Sequence, residues 1–174
     1  MSAESEAIAR ARLLDSSTRD QAERAQYANP NYLARKLRVV LQDSRHDYSP
    51  AEVWKLVRAD SARVRLGPGL FKGPAPDQFL FLSGARLVFS IQLAEHQGAW
   101  HARQFSFHLQ FPGGPASGFV RVCLRNENHE QPLIEPLCHV HPGNDEIRVP
   151  CSLTDPLEVL ERLCFAWANA CGPS

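Results

Sequence analysis

Two consecutive runs of strict alternation limit what this chain can fold into. Leu87, Phe89, Ile91 and Leu93 alternate with smaller or polar neighbours. Phe105, Phe107, Leu109 and Phe111 then alternate with Gln104, Ser106, His108 and Gln110. A period of two places each apolar set on one face of a strand. Glu95-His96-Gln97-Gly98 between the runs is a turn candidate. The runs are therefore expected to pair as an antiparallel hairpin with one buried and one polar face. Pro112-Gly113-Gly114-Pro115 ends the second run, and residues 119–125 make a further strand with Val120, Val122 and Leu124 on one side. Phe79 to Leu82 is a short apolar strand. A polar loop, 126–131, carries the chain towards two more extended pieces, 137–141 and 147–149.

Before this region the period is helical. Residues 4–28 are rich in Ala, Arg, Glu and Gln with few apolar anchors, and Asn29-Pro30 breaks them. Leu33, Leu37, Val40 and Leu41 then form one apolar stripe of a helix over 31–43. Ser49-Pro50-Ala51-Glu52 opens a third helix, with Ser49 as cap and Glu52 placed to reach back to it. Val53, Trp54, Leu56 and Val57 are its expected apolar face. At the far end Asp155 caps a last helix, with Glu158 three residues on. Leu157, Leu160, Cys164, Trp167 and Cys171 recur along it at spacings of three and four, and Gly172 stops it. The expected architecture is an α+β domain: N-terminal helices over 1–62, then a core over 63–174 of an antiparallel meander of about four strands with one C-terminal helix packed on the sheet.

Charge narrows the function. Lys plus Arg and Asp plus Glu both number 19 among 174 residues, so the formal net charge is zero. A domain that neutralises many phosphates is usually basic, so no nucleic-acid partner is expected. No apolar run reaches membrane-spanning length, and residues 1–12 lack the apolar core of a signal peptide, so a cytoplasmic protein is expected. Five cysteines stand at 123, 138, 151, 164 and 171, with no CxxC pair. An odd number without an export signal argues against a disulfide framework, and the missing CxxC argues against a zinc ribbon. Phosphate-loop, G-x-S-x-G, HExxH and EF-hand patterns are absent.

The segment from Cys138 to Cys151 carries the remaining chemistry. On a strand His139 and His141 point the same way, as two ligands of one metal would, while Cys138 faces oppositely. No carboxylate lies at an obvious spacing, although Glu146 or a distant residue could fold back, and no metal or cofactor is assigned on that basis. Cys151 lies just before a helix start, where backbone N–H groups favour a thiolate. His141 and Asn144 lie upstream and reach it only if the intervening residues form a flap. A plainer reading treats Pro142-Gly143-Asn144-Asp145 as a β-turn and Cys151 as an ordinary small buried residue.

One family comes to mind from these residues. Phe105 to Pro112 (FSFHLQFP), a following strand, His141-Pro142, and Cys151 ten residues after that His resemble the ubiquitin-conjugating enzyme family. That family shows an F-x-L-x-I-x-F-P strand and an H-P-N motif followed by its catalytic cysteine. The likeness covers roughly residues 86–167. It departs at Gly143, which stands where the motif has Asn; Asn144 comes one place late, and the tryptophan expected soon after the cysteine is missing. The resemblance implies a bacterial, thioester-carrying relative. Cys151 would hold a ubiquitin-like modifier delivered by an activating enzyme, His141 would brace the loop, Asn144 would replace the missing Asn, and Ser152 would serve an oxyester variant. The alternative is a non-catalytic interaction module that docks a protein partner through its helical N-terminus or a sheet edge.

Overall fold

A computed structural model describes residues 25–67, 77–113, 118–124 and 138–168. Its centre is the expected hairpin. Strand β5 (Arg86–His96) pairs with β6 (Ala99–Gln110) along their whole lengths. The turn between them is Gln97-Gly98, both with positive φ, 52° and 79°. A two-residue turn with both central residues left-handed matches the right-handed twist of the flanking strands. Phe89 and Phe107 are direct cross-strand partners, and their rings stack with centroids 5.2 Å apart.

The sheet is larger than the four-strand meander expected from alternation. Seven strands follow one another in the order β2 (Val57–Asp60), β3 (Arg63–Leu66), β5, β6, β7 (Phe119–Leu124), β8 (Cys138–Pro142) and β9 (Val149–Pro150). Two more, β1 (Gln26–Tyr27) and β4 (Phe79–Leu80), pair with β6 and β5, making nine among the described residues. All pairings are antiparallel. The added strands are two to four residues long and, in β2 and β3, rich in arginine. Segments that short have too few residues for a period to declare itself. The boundary expected between 62 and 63 falls in the tight turn joining β2 to β3, where Asp60 faces Arg63.

Helix α1 (Pro30–Asp43) has Asn29 as its cap, whose side chain accepts the Tyr32 N–H at 2.8 Å. Its stripe is buried as expected: Leu33, Leu37 and Leu41 are inaccessible to solvent. Helix α2 (Pro50–Leu56) starts with a complete capping box, Ser49 to the Glu52 N–H and Glu52 back to the Ser49 N–H. The expected apolar face of this helix is corrected at two places. Val57 belongs to β2, and Trp54 is half exposed, with the Arg38 guanidinium stacked 4.6 Å over its ring. Arg38 also donates to the Val57 carbonyl at 2.6 Å, so the charge lies flat against indole and strand together.

Helix α3 (Pro156–Arg162) is capped by Asp155, whose Oδ1 accepts both the Leu157 N–H at 2.9 Å and the Tyr27 hydroxyl at 2.5 Å. It continues as a π-helical turn, Leu163–Ala168, and Cys164 is buried there as expected. Cys171, Gly172 and most of the first expected helix lie outside the described residues. The helices and the sheet's inner face share one apolar cluster, to which Phe89, Ile91, Phe105, Phe107, Leu109 and Leu124 contribute. Burying each such side chain is worth about 1.5–3 kcal/mol.

Candidate functional site

The chemistry gathers where β7, β8 and β9 lie side by side, and the register sorts it onto two faces. Opposite residues in an antiparallel pair share a face, and neighbours along a strand alternate. Cys138 faces Leu124 and Val140 faces Val122, so these two point into the helix-covered core. His139 faces Cys123 and His141 faces Arg121, so these point to the opposite side. In β9, Val149 pairs with Val140 and Pro150 with His139. One residue further, the Cys151 N–H donates to the Cys138 carbonyl at 3.0 Å, which continues the pairing and places Cys151 on the inner face beside Cys138.

On that inner face the two sulfurs lie 2.7 Å apart. Cys138 is buried and its sulfur also sits 3.0 Å from the Leu153 carbonyl oxygen; Cys151 is half-buried. The pair is asymmetric. Hydrogen bonding to Cys151, reinforced by burial, holds the Cys138 thiol in its protonated form far above the usual thiol range. The hydrogen bond from Cys138 pulls the Cys151 thiol below its ordinary value, against the opposing effect of burial and with help from the Leu153 backbone. A half-buried cysteine thus touches a buried one. Exposed Ile147 and Val149 lie just upstream of Cys151 at the sheet's rim.

On the outer face Cys123, His139 and His141 are all buried, and one ligand atom from each lies within 4.8 Å of the other two. The imidazole rings meet edge to face at 4.8 Å. Nδ1 of His141 has no hydrogen-bond partner although it is buried. Cys123 sits 3.7 Å from the Ser106 hydroxyl. Burial pushes its thiol up, while Ser106, Arg121 and Arg148 oppose that rise. His141 is held below the usual imidazole range by burial first and then by Arg121 and His139; Asp145 and the Asn144 backbone work the other way. Arg121 is bound in turn by Asp145 at 2.7 Å.

The expected catalytic residues are therefore distributed as follows. Cys151 is partly accessible on the inner face. His141 lies on the outer face, with Arg121 across from it and His139 beside it, and the strand separates it from Cys151. Asn144 is exposed in the loop after β8, where its Oδ1 accepts the Glu146 N–H at 2.8 Å. Gly143 has φ 79° and turns that loop. No flap brings His141 or Asn144 onto the Cys151 sulfur. The residues that do meet, Cys138 with Cys151 and Cys123 with the two histidines, are joined by cross-strand register. Their sequence separations of 13, and of 16 and 18, carry no signal until the strands are aligned. The alternation that set His139 and His141 on one side and Cys138 on the other did anticipate the split.

Comparison with family models, curated proteins and solved structures finds no match for this chain.

Proposed function

We propose that the protein works through Cys151 as a nucleophilic thiol with Cys138 as its resolving partner, in thiol–disulfide exchange with a disulfide-bearing peptide or protein. The observation that carries this reading is the approach of two sulfurs to 2.7 Å across β8 and β9, one on a buried residue and the other on a half-buried one. The thiolate is the attacking species in such exchange. The Cys151 thiolate attacks one sulfur of the substrate disulfide, and the departing thiolate takes up a proton. Cys138 then gives up its proton and attacks the Cys151 sulfur of the mixed disulfide. The second substrate thiol leaves, and a Cys138–Cys151 bond remains. The substrate gains two electrons and two protons, and the protein loses the same. Closing 2.7 Å to a bond of about 2.05 Å asks for little backbone movement.

The test uses glutathione disulfide and the full chain. Wild type should form the intramolecular bond, read as protection of both cysteines from alkylation together with the mass loss of two hydrogens. Cys138→Ser should instead accumulate a glutathione adduct at Cys151. Equal alkylation of both thiols after oxidant, with no adduct in Cys138→Ser, would overturn the reading.

A second reading, the thioester carrier suggested by the ubiquitin-conjugating resemblance, draws support from the same half-buried, thiolate-biased Cys151. It loses the help of His141 and Asn144, which face elsewhere. Incubation with an activating enzyme, ATP and a ubiquitin-like modifier separates the two. A reductant-sensitive adduct abolished by Cys151→Ala but kept in Cys138→Ser would favour the carrier. A protein that exchanges disulfides but takes no modifier would favour the dithiol.

A further inference from the structure

We infer that the outer face of β7 and β8 is a metal site, in which Cys123, His139 and His141 bind one zinc-class divalent ion. The three residues come from two adjacent strands and form a single triangle of donor atoms no wider than 4.8 Å. In tetrahedral zinc coordination, with metal–sulfur and metal–nitrogen bonds near 2.3 and 2.0 Å, neighbouring donors sit about 3.4–3.6 Å apart. The triangle is wider by about an ångström at its longest edge, a gap that small side-chain rotations close without moving the ladder. All three side chains are buried, which removes the competition of bulk water. The buried, unpartnered Nδ1 of His141 is the second observation: a polar atom in that position is normally satisfied, and a metal would satisfy it.

The donor set selects the ion. One thiolate and two neutral imidazoles suit a borderline-soft cation and reject magnesium or calcium, which demand oxygen. Charge is the main opposing effect. Arg121 and Arg148, both near enough to act on Cys123, repel a dication. Asp145 offsets them. It binds Arg121 and acts on His141 through its charge, so its carboxylate is the natural counter-ion. Three protein ligands leave one coordination position for water or another small ligand. The site is independent of the dithiol, since Cys138 and Cys151 project from the opposite face.

Cobalt(II) titration of the reduced full chain tests this. Expected is one ion per chain, with thiolate-to-cobalt charge-transfer absorption in the near ultraviolet and the strong visible bands of tetrahedral coordination, both bleached by zinc. Cys123→Ser should lose the charge-transfer band. His141→Gln should weaken cobalt binding by at least ~10-fold while keeping the sulfur signal at saturation. Cys151→Ser and Cys138→Ser should leave both spectrum and affinity unchanged. Circular dichroism of each variant confirms that it is folded, and His141→Gln remains informative if Cys123→Ser is not. No charge-transfer band at stoichiometric cobalt overturns the site. So does a band that survives Cys123→Ser and disappears in Cys151→Ser.

Discussion

The two sides of strand β8 treat the same kinds of atom differently. Toward the helices, Cys138 meets one other sulfur and a carbonyl in apolar surroundings, and proton position there follows the sulfur contact first and burial second. Away from the helices, Cys123 and two imidazoles sit among arginines, a carboxylate and a hydroxyl, and proton position is set by burial against a field of charge. One strand, alternating with period two, thus supplies Cys138 to a sulfur pair on one face and His139 and His141 to a three-residue cluster on the other. Burial does not distinguish a core face from a functional one here. Cys123, His139 and His141 are as inaccessible as the leucines of α1, yet they hold polar atoms rather than methyl groups.

Six substitutions probe the two faces and what joins them. The largest effect belongs to the inner face. Phe107→Ala should cost about 3–5 kcal/mol, because it empties a fully buried aromatic site stacked on Phe89. Gln104→Ala, on the outer face of the same strand, should change stability by less than about 0.5 kcal/mol. Denaturant unfolding reads both, and equal losses would mean that the faces are not distinct.

Next is the cap that ties the helices to the sheet. Asp155→Ala should cost about 1–2 kcal/mol, since it removes the acceptor for both Leu157 and Tyr27. Burial and this bond hold the Tyr27 phenol well above its ordinary value. Its neutral form is thus favoured in the folded state, and that contribution is complete below pH ~10 and lost as pH rises further. Wild type should lose stability on alkaline titration more steeply than Tyr27→Phe.

The outer face should answer to acid. The His141 pKa is lower folded than unfolded, so folding releases protons. Its contribution is present above pH ~6.5 and fades as pH falls toward the folded value. His141→Gln should flatten the drop in melting temperature between pH 7 and pH 5, measured without metal. The smallest effect is at the hairpin turn. Gln97 holds φ 52°, and Gln97→Gly should stabilise by up to ~1 kcal/mol by relieving the left-handed strain. A loss of stability there would mean that the Gln97 side chain does more than turn the chain.

How far these features were legible in the sequence depended on the range of the pattern that encodes them. The β5–β6 hairpin, the α1 stripe and the caps at Ser49 and Asp155 rest on local periods and short motifs, and the structure holds them. Strands β1 to β3 escaped because two to four residues carry no period and their arginines resemble a solvated helix face. Residues 63–66, Arg-Val-Arg-Leu, did hold two apolar positions in alternation, with Val64 and Leu66 both buried. The Trp54 expectation failed because the indole lies half exposed at the surface, covered by the Arg38 guanidinium of the neighbouring helix rather than by the core. The candidate site was half legible. Alternation placed the histidines together, but Cys123 joins them only through the register of β7 on β8, which no local pattern specifies.

The brevity of β9 has a further consequence. Among the described residues it is the last strand of the sheet on that side, two residues long and ending in Pro150, which has no N–H to offer. A second chain therefore finds little ladder to extend at this rim, which disfavours fibril-like growth from it. If Cys151 exchanges disulfides as proposed, its substrate would be gripped by side chains rather than by an added strand.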